Sequence, residues 1–139
     1  VRDRARLRGC LAAADAWTLP SRREGFAVAP LEAMACGLPV VAADVAGVGD
    51  VLEDGEASGG VVVPRENPAA LAVALGRLLD DPARARAMGA RARERVERAF
   101  SPRAVGARLR RVLLREGGAP CEDGTRDGSA DPPPRDRRC

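Results

Sequence analysis

Glu24 and Glu32 flank seven consecutive residues, GFAVAPL, that carry no charge. Two carboxylates set this way around a short apolar run are candidates for acid–base or electrostatic work. The chain offers few other groups for it. It has no histidine, which removes Ser-His-Asp and Cys-His arrangements and histidine metal sites. Every one of its 23 basic residues is arginine, so there is no lysine for a Schiff base or a phosphate-binding loop. Chemistry therefore falls to Asp, Glu, Arg, Cys or the backbone.

The four cysteines, Cys10, Cys36, Cys121 and Cys139, form no CxxC pair. Their spacing matches neither a zinc site nor a disulfide-dense scaffold, so reduced thiols are expected. Isoleucine, glutamine and tyrosine are also absent, while alanine, arginine, glycine, valine and proline dominate. This reads as GC-rich coding bias, which discounts arginine clusters as evidence for phosphate binding. The net charge of +3, with 20 acids against 23 bases, does not call for nucleic acid. A chain of 139 residues, 45% hydrophobic and 31% charged, fits one soluble globular domain. No signal peptide or membrane-length apolar run is present, and a cytoplasmic location is the expectation.

The elements that must hold the two glutamates follow from local pattern. Residues 1 to 9 read as charged and irregular, and CLAAADA as a short helix. WTLPS reads as a brief buried strand ending at a Pro-Ser turn. A helix begins near Pro30, because proline suits a first turn. Leu31, Met34 and Ala35 recur at helical spacing, and Gly37 ends the helix. PVVAAD is a fully buried strand. A short helix over about Val48 to Glu53 and the buried strand GVVVP follow. Asn67-Pro68, Asp81-Pro82 and Ser101-Pro102 then open three helices. Their expected inward faces are Leu71, Leu75, Leu78 and Leu79; Met88, Ala92, Val96 and Phe100; and Val105, Leu109, Val112 and Leu113. From Gly117 apolar residues nearly vanish, and a disordered tail is expected. The fold class is α/β, with short strands alternating with helices in a parallel sheet. Three strands are few for such a sheet, which suggests the C-terminal piece of a larger domain.

This order predicts a site. In open parallel sheets, ligands bind outside the carboxyl ends of strands. The loop from Arg22 to Ala29 lies there. Unpaired N–H groups at the helix start, with the helix dipole, attract an anion such as phosphate. Gly25, Ala27 and Ala29 would admit a ligand close to the backbone. Glu32, at about the third helical position, is also what a helix dipole favours, by roughly 0.3–1 kcal/mol. Glu24 also reads as a solvated loop charge.

The stretch PSRREGFAVAPLEAMACGLPVVAAD resembles the donor-binding signature of retaining GT-B glycosyltransferases of family 4. There E-G-F-x-x-x-x-x-E, an EX7E motif, precedes A-M-A-C-G-x-P-V-V-A. The similarity continues through GVGDVLEDGE, GVVVP, ENPAALAVALGRLLDDP and RARERVERAFS, over about residues 11 to 115. It implies a partial Rossmann-like GT-B C-terminal, nucleotide-sugar-binding domain over residues 1–115, with C-terminal helices, and a disordered tail over 116–139. By the resemblance, Glu24 is the catalytic-side residue, hydrogen-bonding hydroxyls of the transferred sugar. Glu32 accepts from the ribose hydroxyls, since a carboxylate can take two O–H donors. The donor-binding set is Glu24, Gly25, Phe26, Ala27, Val28, Ala29, Leu31 and Glu32, with N–H groups around Phe26 to Ala29 holding the diphosphate. A nucleotide-diphosphate sugar is the implied donor substrate, with no cofactor and no DxD-bound metal. The implied partners are this donor and an N-terminal acceptor domain lying outside the chain. No nucleic acid is expected, and peripheral membrane association of the full enzyme is allowed.

The sequence departs from that pattern in places. Ala27 stands where glycine is frequent. Gly49 and Asp50 stand where a G-x-P-E element is frequent, and Asp50 is expected to cap a helix. The basic pair that usually neutralises the diphosphate lies upstream in such enzymes. The isolated chain is therefore expected to be inactive. The alternative is a non-catalytic nucleotide-binding or interaction module from a truncated gene.

Three other patterns compete less well. Gly47 and Gly49 suggest a GxG dinucleotide fingerprint, but Leu52 fills the third position and the helix is too short. Asp123, Thr125, Asp127 and Gly128 imitate a calcium loop, but Pro134 replaces the bidentate glutamate. PARARAMGARARERVERAF carries interleaved acids and an apolar stripe, as a solvated amphipathic helix does.

Overall fold

Val40–Ala43 is buried along its whole length and organises the molecule. In the computed structural model, which describes residues 3–25 and 28–116, it is β2, the middle strand of a three-stranded parallel sheet. β1 (Trp17–Leu19) pairs on one side, with Trp17 opposite Val40. β3 (Gly60–Val63) pairs on the other, with Val40 opposite Gly60 and Ala43 opposite Val63. A strand covered on both edges and both faces suits an unbroken run of small and β-branched residues. β1 is half-buried with Thr18 exposed, and β3 is buried at Gly60 and Val63 but exposed at Val62, so the expected burial of these two outer strands holds only in part. Each borders a paired strand on one edge alone.

Around the sheet lie α1 (Arg4–Ala12), α2 (Val28–Ala35), α3 (Val48–Val51), α4 (Pro68–Asp80), α5 (Pro82–Arg95) and α6 (Pro102–Glu116). A 3-10 turn, Gly55–Ser58, leads into β3, and a π-helical turn, Val96–Phe100, links α5 to α6. Strand alternation divides the core. Val40 and Ala42 pack with Met34, Val48, Val51 and Ala92 on one side. Val41 packs with Ala74, Leu78, Ala85 and Met88 on the other. α5 serves both clusters, which explains why Met88 and Ala92 are wholly buried.

The helix starts follow their capping residues. Asn67 Oδ1 accepts from the Ala70 N–H at 2.9 Å, and Asp81 Oδ1 from the Arg84 N–H at 2.9 Å. Ser101 Oγ accepts from the Ala104 N–H at 3.2 Å. α1 corrects the expectation of an irregular segment over residues 1 to 9. Asp3 caps it, Oδ1 accepting from the Ala5 and Arg6 N–H groups at 2.8 and 3.2 Å, and the helix ends at Ala12. Arginine, alanine and leucine are strong helix formers, and Leu7 and Leu11, one turn apart, are the half-buried residues of this otherwise charged run. α3 begins after Gly47, not after an Asp50 cap; Asp50 is exposed in its first turn.

Two apolar faces differ from expectation. On α4, Ala74 is buried while Leu79 is 61% exposed, because residues 71, 74, 75 and 78 share a face that 79 has passed. On α6, Val105, Leu109, Val112 and Leu113 are 47–61% exposed rather than inward. Among the described residues its main contact is with the π-helical turn. The expected tail from Gly117 lies outside the described residues, as do Cys121 and Cys139. Cys10 and Cys36 are free thiols.

Candidate functional site

β1, β2 and β3 end at Leu19, Ala43 and Val63, and their parallel course puts these three carboxyl ends on one edge. Pro20 terminates β1 by fixing its own backbone and withholding an N–H. The chain then bends at Arg22 and Gly25 and enters α2 at Val28. Glu24 is half-buried in this loop and accepts a hydrogen bond from Ser21 Oγ at 2.6 Å. Gly25 is exposed. Phe26 and Ala27 lie outside the described residues.

α2 begins two residues earlier than Pro30 suggests. Val28 and Ala29 are its exposed first residues, and Pro30 is buried in the first turn, where its missing N–H costs no helical bond. Glu32 is consequently the fifth helical residue, not about the third, and no acid occupies the first turn. The dipole effect falls off within that turn, so helix stabilisation does not account for Glu32. Leu31 packs against the core with its side chain, leaving only its backbone for a ligand.

The two glutamates face different surroundings. Glu32 is exposed and borders a groove of about 440 Å³ with Ala35 and Cys36 of α2, Arg4 and Arg8 of α1, and Arg93 of α5. Arg93 is held above its ordinary pKa, first by its hydrogen bond to Glu97 at 2.9 Å and then by that carboxylate's charge. It stays cationic wherever the fold is stable. Among the described residues, Glu24 lines neither of the two cavities at the strand ends.

Two cavities do open at the carboxyl edge. One, of about 270 Å³, is walled by Pro20, Ala43, Val63, Pro64, Pro68 and Leu71, with Arg22 and Glu66 at its rim. Arg22 Nε meets Glu66 Oε1 at 3.1 Å and so ties the β1–α2 loop to the β3–α4 loop. Glu66 holds a left-handed φ of 57°, an uncommon state for a residue with a side chain. The other, about 430 Å³ and more open, runs along Asp44 to Gly47, Gly49, Asp50 and Arg65. Gly47, with φ of 80°, opens a helix of four residues, too short for a dinucleotide βαβ unit. Among the described residues no group of three or more Cys, Asp or Glu is placed to hold a metal ion. None of the described helices is long and apolar enough to cross a membrane.

Ser21 and the Arg22–Glu66 bridge were not singled out from sequence. A hydroxyl three residues before a loop carboxylate was the available signal for the first. For the second, the partners lie 44 positions apart and meet only because β1 and β3 end together.

A family profile described as "Glycosyl transferases group 1" matches residues 2–95. The chain belongs to that family. The group 1 match covers all three strands and the helices α1 to α5. Among relatives, a D-inositol 3-phosphate glycosyltransferase of Kineococcus radiotolerans is 48% identical over 68% of this chain and 23% of its own length. A GDP-mannose-dependent monoacylated alpha-(1-6)-phosphatidylinositol monomannoside mannosyltransferase of Corynebacterium glutamicum is 38% identical over 76% of the chain and 29% of its own. A glycogen synthase of Mycobacterium tuberculosis is 36% identical over 81% and 27%. In three dimensions, sucrose-phosphate synthase from Thermosynechococcus elongatus superposes with a TM-score of 0.68 at 36% identity, over 78% of this chain and 27% of that one. The fold of this group 1 glycosyltransferase chain is thus the Rossmann-like one of a GT-B C-terminal domain. It spans about a quarter of the length of these relatives.

Proposed function

We propose that this chain is the donor-binding part of a retaining, family 4 glycosyltransferase that uses a nucleotide-diphosphate sugar. The observation that carries this is the placement of Glu24 and Glu32 between the end of β1 and the body of α2. The chain leaves the carboxyl end of β1, and the two carboxylates stand on either side of the start of α2. The N–H groups of that first turn have no helical partners and suit a diphosphate. Glu24, on the loop side, would hydrogen-bond the sugar. Glu32, one turn into α2 and open to solvent, would accept from the ribose hydroxyls. Phe26, Ala27, Val28 and Ala29 would hold the diphosphate through their backbone, and Gly25 would let the sugar approach.

The relative whose name specifies GDP-mannose supports this donor class. The reaction would move the sugar from its phosphate to an acceptor hydroxyl with retained configuration and no bound metal. Since the match covers only about a quarter of each relative, the acceptor side is assigned to a further domain, and the chain alone would turn over little or nothing.

Calorimetry with UDP, GDP and ADP tests the reading. The favoured nucleotide should bind the unsubstituted chain about tenfold more tightly than Glu32→Ala, the effect of losing a charged hydrogen-bond acceptor. Unchanged affinity in the variant removes the ribose role. The exposed apolar stripe of α6 favours a second reading, a nucleotide-binding or interaction module without turnover. A neighbouring reading frame that encodes an acceptor domain separates a divided enzyme from such a module.

A further inference from the structure

We infer that Ser21 is a positioning residue that fixes the Glu24 carboxylate for the sugar part of the donor; this rests on the donor reading above. Ser21 follows Pro20 directly at the end of β1, so its backbone is anchored by the sheet on one side. Its hydroxyl donates to Glu24 Oε1 at 2.6 Å, at the short end of O–H···O⁻ geometry. Both residues are half-buried, in a loop whose other charged neighbours, Arg22 and Arg23, are exposed. Arg22 reaches away to Glu66, which leaves Ser21 as the side chain that holds Glu24 among the described residues.

A loop glutamate has several free torsions. Fixing them before ligand arrives removes an ordering cost from the binding step. The serine engages Oε1, and Oε2, which has no partner among the described residues, would accept from a ligand hydroxyl. Serine's remaining lone pairs add a second acceptor beside it. The pair therefore reads the sugar, while the nucleotide and diphosphate are held by other atoms. This separates Ser21 from a residue that only shapes the loop: a disturbed loop would weaken nucleoside diphosphate and sugar nucleotide alike.

The test is calorimetry on the full chain with UDP, GDP and ADP, each alone and as its glucose or mannose conjugate. The quantity read is the ratio of the two affinities, the sugar's own contribution. Ser21→Ala should reduce that contribution by about tenfold, the scale of one charge-assisted hydrogen bond, and leave the diphosphate affinity within about twofold. Ser21→Thr should restore it. Glu24→Ala should remove it, and the double variant should bind no worse than Glu24→Ala alone, because the serine acts through the glutamate. Equal weakening of both ligand types in Ser21→Ala overturns the inference, as does an unchanged ratio or a chain that gains nothing from the sugar. Failure of the unsubstituted chain to bind any of the three diphosphates overturns the donor reading itself, and the serine's role with it.

Discussion

Arg95 shows how much a single side chain can hold in a small fold. It lies on α5 with its side chain only 10% exposed. Its Nε donates to the Val51 carbonyl at 2.6 Å and its Nη2 to the Asp50 carbonyl at 2.8 Å, so it closes the C-terminal end of α3. The guanidinium also lies 5.7 Å from the centre of the Phe100 ring, where a cation is attracted to the π face. Arg95→Ala removes all of this at once and strands two carbonyls. It should cost about 2–3 kcal/mol in urea denaturation. Arg95→Lys should recover less than half, since an ammonium lacks the planar fork that spans both carbonyls. The ion pair to Glu53, 3.2 Å long but with a glutamate side chain 72% exposed, contributes little, so Glu53→Ala should cost under about 0.5 kcal/mol. A Glu53→Ala loss as large as that of Arg95→Ala would assign the stability to charge pairing instead. In the sequence, Arg95 is one of many arginines on a helix with interleaved acids. Nothing local marks it, because its partners are backbone atoms more than 40 positions away.

At the scale of elements, α5 is fixed by how closely it crosses the turn after α2. A Cβ built on Gly89 would stand 2.0 Å from the Gly37 carbonyl oxygen, which is backbone and cannot swing aside. Gly37 itself sits at φ 79°, the left-handed state in which glycine ends a helix. Gly89→Ala gains helix propensity, about 1 kcal/mol, but must push α5 off the sheet. Since Met88 and Ala92 seal the two faces of the core from neighbouring turns, the net result should be a loss of about 3 kcal/mol, read as a lower urea midpoint. Gly76→Ala on α4, where a Cβ meets nothing within 4 Å, serves as the control and should be neutral or stabilising. A neutral Gly89→Ala would show that α5 can shift without cost. The elements themselves were legible wherever a cap or a breaker announced them: Asn67-Pro68, Asp81-Pro82, Ser101-Pro102 and Gly37. They were not legible where the signal was tertiary. α1 has only Leu7 and Leu11 as an apolar stripe, and Pro30, the helix-start signal of α2, stands two residues inside the helix.

At the scale of the whole molecule, the parallel α/β arrangement and the strand–loop–helix order that carries Glu24 and Glu32 were both readable. Alternating strand and helix patterns dictate the first, and the Pro-Ser turn and Pro30 mark the second. The partition of the two carboxylates was not readable. It depends on a two-residue shift in a helix start and on α1, whose arginines border Glu32. The misplaced face of α6 has a similar origin. Periodicity reports that a helix has an apolar stripe, not that a neighbour exists to cover it. That difference makes a definite prediction for stability. Among the described residues all the wholly buried side chains lie before the π-helical turn, and Val105, Leu109, Val112, Leu113 and Leu114 remain 47–68% exposed. Burial, not propensity, stabilises a helix of this length. A chain ending at Ser101 should therefore melt within about 4 °C of one ending at Glu116, equivalent to less than about 1 kcal/mol, when followed by circular dichroism. It should also lose helical signal in proportion to α6 alone. A fall of 10 °C or more would mean that the stripe is covered in solution, and repeating the melt over a hundredfold range of protein concentration identifies a second copy as the cover if the difference grows with concentration.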